Sequence, residues 1–220
     1  STARTSSDLA VEEAVRAVRV SSRRRQLLDA AVTVMGRTGF HSMSMQALAD
    51  EAEVSVGLFY KYFGSKEDIL LAAIVDILEK FRDQLQPAMD LAGDDPVTRL
   101  IAGFRQYTTI VDENRDAVVL TYRESRTLDA AGRDRIKELE VETSAPMRDA
   151  ITDGIGAGLM NDVDFDLTVF DLMMLAHGWA LKHWHFAPGF DVDRYIDAQL
   201  RFALPSPVRP DKIAGYLADI

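Results

Sequence analysis

The sequence predicts an all-α fold, with a three-helix helix-turn-helix domain near the N-terminus and a larger helical domain after it. Apolar residues recur at the three- and four-residue spacing of amphipathic helices along most of the 220 residues, and no stretch alternates as a half-buried strand would. Hydrophobic residues make up 47% of the chain, which is enough for the cores of two domains. Pro and Gly mark where one predicted helix ends and the next begins.

The first predicted element is preceded by a polar extension. Residues 1–20 are Ser-rich at first and then mildly amphipathic, so we expect a flexible extension that is disordered over its first ten residues, with 11–20 as a candidate helical extension. The first helix of the domain begins near the triplet Arg23-Arg24-Arg25 and ends before Gly39. The triplet has two interpretations, a solvated helix start or a basic arm that contacts phosphate.

Residues 39–70 predict the helix-turn-helix itself. Ser44 is an N-cap residue before a short apolar helix, and Ser55 is placed to cap a second helix over 56–62. Gly57 lies near the start of that second helix, where its missing side chain permits close approach of another backbone. The run from Ser65 to Asp68 fits a capping box and starts a fourth helix.

The remaining helices belong to the larger domain. Pro96 suits the first position of a helix, and Pro146 predicts an interruption or kink in a long one. Residues 211–220 are expected to add a last helical turn. The predicted helices four to nine cover 66–89, 96–111, 117–128, 129–155, 165–186 and 193–204. The expected domains are residues 21–68 and 69–220, after the extension of 1–20.

The motif within residues 39–66 resembles the N-terminal DNA-binding signature of the tetracycline-repressor (TetR) family. Met43 stands where the family usually has Thr, and Glu53 stands where it usually has Gly. Glu53 places a Cβ and a negative charge in the helix-helix turn, which affects its tightness and weakens attraction to phosphate. The matching positions are Gly39, Phe40, Ser44, Leu48, Ala49, Ala52, Val54, Ser55, Gly57, Tyr60, Phe63 and Lys66.

This resemblance implies that the second helix of the pair enters the major groove of double-stranded DNA. Val56 and Leu58 take positions whose side chains meet bases, and Tyr60 and Lys66 take positions that hold phosphates. The open alternative is that Leu58 belongs to the core, as we expect of Phe59 and Phe63. The expected DNA-binding residues are Arg25, Ser44, Gln46, Ser55, Val56, Gly57, Leu58, Tyr60, Lys61 and Lys66.

The helix predicted over 165–186 is apolar almost all round, so it must be covered on all sides. The family resemblance places its last two helices in a dimeric four-helix bundle, which predicts a homodimer on a palindromic operator. The alternative is a central core helix of a monomer.

Arg123 and Arg126 follow Tyr122 at helical spacing and have two interpretations, surface ion pairs or an anionic anchor at a pocket mouth. Tyr122-Arg123-Glu124, with the later Trp-containing helix, resembles the acyl-CoA-responsive subgroup of the family. This resemblance implies a small hydrophobic or acyl-CoA-like effector as a partner. The candidate effector-binding residues are Tyr107, Tyr122, Arg123, Arg126, Met173, His177 and Trp179, chosen for charge, for a polar tip or for a soft shape.

Charge and composition exclude several classes of function. The net charge is −10, yet residues 1–70 hold nine basic and nine acidic residues, so DNA contact is expected to be confined to this part. The acidic remainder argues against a general DNA-packing protein. The chain contains no Cys, no secretory signal and no apolar run of the roughly 20 residues a membrane helix needs, so a cytoplasmic location without membrane contact is expected.

Catalytic and cofactor motifs do not emerge from the sequence. Its four His residues lack metal-ligand spacing, and no Gly-rich phosphate loop precedes a Lys. We therefore expect no cofactor, no metal and no enzymatic activity. The predicted function is a ligand-responsive transcriptional regulator, most simply a repressor, and the alternative is a small helical enzyme or carrier for a hydrophobic substrate.

Overall fold

The computed structural model describes residues 6–220, and within this range the chain is helical apart from its connections and one isolated bridge between Met160 and Val208. The all-α prediction is confirmed. The contacts divide the chain into two compact units, with the boundary between Ala73 and Ile74. That boundary falls inside a helix, α4, and not in a separate linker.

The first unit contains α1 (Ser6–Thr38), α2 (Met45–Glu51), α3 (Val56–Tyr62) and the start of α4 (Lys66–Leu91). Apolar residues from all four helices form its core, which includes Leu27, Leu28, Val34, Leu48, Phe59, Ile69 and Leu70. Helix α1 is longer than predicted, because residues 6–10, expected to be disordered, are part of one continuous helix with the rest of α1. Residues 1–5 of the predicted extension lie outside the described range.

The second unit begins with the remainder of α4 and contains the other helices. They are α5 (Pro96–Glu113), α6 (Arg115–Glu124), a 3-10 turn (Ser125–Thr127), α7 (Ala130–Gly156), α8 (Phe165–Leu181), α9 (His183–Phe186), α10 (Val192–Ala203) and α11 (Ile213–Ala218). Helix α5 is central and packs against α7, α8 and α10. It approaches its neighbours closely at Gly103, where an added Cβ would meet Sδ of Met89 at 2.9 Å and Cγ of Met147 at 3.1 Å.

Local chemistry accounts for several of the helix ends. The carboxylate of Asp95 accepts a hydrogen bond from the Thr98 amide at 2.8 Å, and Pro96 follows it as predicted at the first helical position. Helix α7 continues through Pro146, where an interruption or a kink was expected, so the helix is not interrupted there. Predicted helix eight is divided at Lys182, and this break lets the Phe186 ring lie against Tyr195, with the ring centroids 5.0 Å apart.

Candidate DNA interface and effector cavity

The turn between α2 and α3 closes as a Schellman motif. The amide of Val54 donates to the carbonyl of Ala49 at 2.9 Å, and the amide of Glu53 donates to Asp50 at 3.2 Å. Glu53 has φ +55°, and it is the one non-glycine residue with positive φ among those described. The turn therefore keeps the backbone geometry that favours Gly, although an acidic residue occupies it.

The helix ends place the predicted base-reading side chains at the surface of the first unit. Ser44 accepts the amide of Ala47 at 3.0 Å and so fixes the start of α2. Ser55 is the N-cap residue of α3, but its exposed hydroxyl makes no capping hydrogen bond to the helix. Val56 and Leu58 are partly exposed, whereas Phe59 and Phe63 are buried. Leu58 is thus accessible, and the two phenylalanines belong to the core.

The position of a side chain at Gly57 is almost free of contacts with the rest of the protein. An added Cβ would meet only Oγ of Ser55, at 3.9 Å. Close approach inside the fold therefore does not explain this glycine, which leaves the exposed side of α3 as the place where a small residue could matter. Gln46 is also exposed, and its amide donates to the Asp50 carboxylate at 2.7 Å.

The polar residues predicted to hold phosphates are accessible. Tyr60, Lys61 and Arg25 are exposed. The Lys66 ammonium lies 5.3 Å from the centre of the Phe40 ring, a cation–π contact that positions it at the first turn of α4. In the Arg triplet, Arg24 turns inward, with its guanidinium 5.4 Å from the centre of the Phe63 ring.

The second unit encloses a cavity of about 260 Å³. Helices α4, α6, α7 and α8 and the 3-10 turn contribute its walls. Its apolar lining residues are Ile77, Leu78, Phe81, Val118 and Ile136, and its polar ones are Thr121, Tyr122, Ser125, Arg133, Lys137, Glu140 and His177.

A chain of three hydrogen-bonding side chains runs from the surface of this cavity into the core. Nε2 of His177 is 2.7 Å from the hydroxyl of Tyr107, and Nδ1 of His177 is 2.7 Å from the hydroxyl of Tyr122. Tyr107 is fully buried and stacks on Phe81, with the ring centroids 4.1 Å apart. Burial lowers the pKa of His177 to about 4, so its imidazole is neutral and donates through only one nitrogen.

The donor inventory fixes the direction of this chain. If the buried Tyr107 hydroxyl only accepted from Nε2–H, its own proton would have no acceptor, so the hydroxyl donates to Nε2. This leaves Nδ1–H to donate to the Tyr122 oxygen. The Tyr122 proton is then directed towards Sδ of Met174, a weak acceptor 3.7 Å away. Because Tyr122 lines the cavity, a better acceptor there could take this proton.

Charged groups from α7 line the same cavity. Burial raises the pKa of the half-buried Glu140 carboxyl. Arg133 and Lys137 are four residues apart and exposed, so they share one side of α7. The cavity therefore combines apolar walls, a hydrogen-bonding interior and two accessible cations.

The structure brings two of the predicted effector residues, Tyr122 and His177, to the cavity surface, and Tyr107 stands directly behind them. Arg123 and Arg126 do not line this cavity, since α6 ends at Glu124 and the helical spacing assumed for the pair is lost. Nε of Arg123 donates to Glu124 at 2.9 Å, the ion pair of the first interpretation.

Two further predicted residues also lie elsewhere. Trp179 is two positions from His177, on another side of α8, and its indole donates to Asp112 at 2.7 Å. Met173 is buried one turn before His177 without reaching the cavity. Arg133, Lys137 and Glu140 also line the cavity and were not predicted from the sequence. The sequence shows that these three residues recur at helical spacing, but this spacing alone does not indicate which side of the helix faces a cavity.

Helices α8 and α10 leave large apolar side chains exposed. Leu167, Phe170 and Met174 recur at helical spacing on α8, and Phe202 on α10 is 76% exposed. The opposite side of α8 is buried in the second unit, through Val169, Leu172, Met173, Ala176 and Trp179.

Comparison with known proteins places this architecture in a family. Residues 27–73 match the family described as bacterial regulatory proteins, tetR family, and residues 93–202 match the tetracyclin repressor-like C-terminal domain. The HTH-type transcriptional regulator HbdR of Aromatoleum sp. (strain CIB) is 34% identical over 181 residues, covering 82% of this chain and 79% of HbdR.

Solved structures have the same fold. The crystal structure of AibR in complex with isovaleryl coenzyme A and operator DNA has a TM-score of 0.71 at 21% identity, covering 84% of this chain and 99% of AibR. FadR from Bacillus subtilis in complex with stearoyl-CoA has a TM-score of 0.68 at 20% identity, covering 82% of this chain and 97% of FadR.

The fold and the exposed helix-turn-helix define a DNA-binding transcriptional regulator with a ligand-binding domain. The chain belongs to the TetR family of bacterial regulatory proteins. Among the described residues, no helix is both long and apolar enough to cross a membrane. Within the same range, no three His, Cys, Asp or Glu side chains come together as a metal site.

Proposed function

We propose that this regulator is a homodimeric repressor that a short acyl-CoA thioester, or an effector of the same chemistry, releases from a palindromic operator. The observation that carries the effector class is the cavity of the second unit, with apolar walls and with Arg133 and Lys137 accessible at α7. The acyl-CoA ligands named for AibR and FadR support the same class.

The size of the cavity suits one part of such a ligand. Its volume of about 260 Å³ lies at the lower end of ligand pockets, so it accommodates an acyl group and not a whole coenzyme A. The charged remainder of the ligand would lie outside, where Arg133 and Lys137 can bind phosphate through charge-assisted hydrogen bonds. The thioester carbonyl would accept the proton that the Tyr122 hydroxyl otherwise directs at Met174.

We assign the operator contacts to the exposed residues of the first unit. Val56 and Leu58 contact base edges, and apolar side chains of this kind suit thymine methyl groups. Tyr60, Lys61 and Lys66 contact phosphates. Accordingly, Lys66→Ala weakens binding to all DNA sequences and lowers the salt slope by about one unit, whereas substitutions of Val56 and Leu58 alter the preferred sequence.

The exposed apolar side chains of α8 and α10 support the dimer. A contiguous apolar patch of this kind marks a protein interface, and a second copy of the same patch would cover it. Two copies would present two α3 helices to half-sites about 34–36 Å apart, one turn of DNA. An effector that binds only one spacing of those helices shifts the population away from the DNA-competent form.

We also infer that the cavity binds its ligand without transforming it. Both ring nitrogens of His177 have tyrosine partners, and its low pKa makes it a weak base near neutral pH. We propose a cytoplasmic location because the regulator would need access to both DNA and acyl-CoA there.

Calorimetry with a chain-length series of acyl-CoA thioesters tests the effector class. The proposal expects tightest binding for short acyl groups and weaker binding for long chains. Binding of an uncharged apolar compound, with no binding of any acyl-CoA, would contradict it.

A further inference from the structure

The middle of α1, residues 14–26, is strongly basic in an acidic protein. Residues 14–26 contain five arginines and no acidic residue, although the whole chain has a net charge of −10. Every residue from 9 to 23 is exposed, so the first unit leaves most of this segment accessible. It also lies before residue 27, where the match to the family's DNA-binding domain begins.

Three of these arginines share one side of the helix. Arg16, Arg19 and Arg23 are related by steps of three and four residues, and the helical rise places the first about 10 Å from the last along the axis. The fourth, Arg24, is turned to the Phe63 ring instead. Arg23 donates to the side chain of Gln26 at 2.8 Å, and Gln26 donates to the carbonyl of Ala52 at 3.2 Å, which anchors this side of α1 to the α2–α3 turn.

The same side of α1 opens onto the helix that reads DNA. Arg19 and Arg23 line an open cleft of about 830 Å³ whose other wall includes Ser55 and Leu58 of the α3 region. The cleft, which Glu53 also lines, therefore joins Arg19 and Arg23 to Leu58, one of the residues expected at the base edges. Duplex DNA carries about one negative charge per 1.7 Å of its axis, which complements such a row.

We propose that the basic segment of α1, residues 14–26, is an additional DNA-binding arm, in which Arg16, Arg19 and Arg23 contact backbone phosphates of the operator strand that passes beside the first turn of α3. The inference rests on the DNA-binding function of the first unit and extends its footprint beyond the helix-turn-helix. These contacts position the protein without reading sequence, so they raise affinity for any duplex.

Salt dependence provides the direct test. The triple variant Arg16→Gln/Arg19→Gln/Arg23→Gln is titrated with two 40-bp duplexes, one selected by the wild-type protein from a random library and one of random sequence. Each lost phosphate contact lowers the slope of log K against log salt by about 0.9. We expect a total decrease of about 2.7 on both duplexes. Between 50 and 200 mM salt, the wild type then loses roughly 40-fold more affinity than the variant.

A matched variant controls for net charge. Arg135→Gln/Arg201→Gln/Arg209→Gln removes the same three charges from the second unit, and it should keep the wild-type slope. Far-UV circular dichroism checks that the variant arm is still helical. A hydroxyl-radical footprint should shorten at its outer edges with the arm variant and stay unchanged with the control.

Three results would overturn the proposal. The first is an equal slope for the wild type and the arm variant, while the wild type binds the selected duplex normally, which leaves the regulator function intact. The second is an equal slope together with loss of binding to phosphatidylglycerol vesicles in the arm variant, which would assign the arm to an anionic membrane surface. The third is a wild type that binds neither duplex, which would remove the proposed repressor function as well.

Discussion

The hydroxyl of Tyr122 lies 2.7 Å from Nδ1 of His177, at the surface of the cavity in the second unit. A neutral imidazole offers one donor and one acceptor, and Tyr107 occupies the other nitrogen from the buried side. The tautomer of His177 is thereby set by a residue that does not face the cavity. The effector would meet a Tyr122 hydroxyl whose proton is already available for donation.

Removing each tyrosine hydroxyl should therefore have a different effect. Tyr122→Phe should weaken the effector's release of DNA by roughly 5- to 10-fold and barely alter stability, because a neutral hydrogen bond contributes about 1 kcal/mol. Tyr107→Phe should lower the free energy of unfolding by about 1–3 kcal/mol, since it leaves the buried Nε2 of His177 without a donor. Urea unfolding and DNA-release titrations on both variants separate these outcomes. Equal effects of the two variants in both assays would refute the direction assigned to the chain.

The low pKa of His177 makes stability depend on pH. Its folded-state pKa of about 4 is below the ordinary 6.5, so the unfolded state binds more protons between these values. The contribution of His177 is complete above pH 6.5 and is lost progressively towards pH 4, by about 3 kcal/mol in total. Glu140 has a raised pKa and acts in the opposite direction near its own titration.

The comparison with His177→Gln isolates this contribution, because glutamine keeps a donor and an acceptor but does not titrate. The difference in unfolding free energy between the wild type and this variant should shrink as the pH falls from 6.5 to 4. A difference that is independent of pH over this range would show that His177 is not buried in its neutral form.

The backbone at Glu53 is strained, and a substitution by glycine should relieve this strain. With φ at +55°, a residue that carries a Cβ costs about 1–2 kcal/mol relative to the right-handed region. Glu53→Gly should raise the free energy of unfolding by about 1 kcal/mol, after allowing for the greater freedom of glycine in the unfolded chain. Thermal unfolding would measure this, with Glu51→Gly inside α2 as a destabilising control. A Glu53→Gly protein no more stable than the wild type would contradict the strain.

The sequence predicted these features unequally. The helix-turn-helix could be predicted from the sequence because its capping residues and its short apolar spacing are local signals. Glu53 shows that the motif persists even where one residue disfavours the backbone geometry of the turn. The residues that line the cavity could not be predicted in the same way. Which side of α7 faces the cavity depends on long-range packing, so Arg133 and Lys137 could not be selected from the sequence. Arg123 and Arg126 were selected on a helical spacing that ends with α6 at Glu124.

The helix boundaries illustrate the same distinction. Asp95 and Pro96 mark the start of α5 through contacts within four residues, and this start was correctly predicted. The break at Lys182 accompanies the packing of Phe186 against Tyr195, a residue of another helix. A pattern that is apolar on all sides cannot indicate where such a break occurs.

The apolar patch on α8 and α10 should control assembly. Light scattering at micromolar concentration should give about twice the 24.5 kDa chain mass for the wild type. Leu167→Glu/Phe202→Glu places two like charges at each copy of the patch and should shift the protein towards monomer, with weaker operator binding. Leu91→Glu, at a residue that is 90% exposed, is the matched control and should stay dimeric. A monomeric wild type that binds a single half-site tightly would contradict both the dimer and the palindromic operator.

The central claim is that an acyl-CoA-like effector bound at Arg133 and Lys137 releases the operator. The most direct measurement titrates a short-chain acyl-CoA into the protein–operator complex and follows release by fluorescence anisotropy, for the wild type, Arg133→Gln/Lys137→Gln and the control Arg135→Gln. We predict the same operator affinity for all three proteins without effector. With effector, release should require at least about 10-fold more acyl-CoA in the double variant than in the other two, because each charge-assisted hydrogen bond contributes about 1.5–3 kcal/mol. Identical release curves for the three proteins, or no release of the wild type by any acyl-CoA, would contradict the proposal.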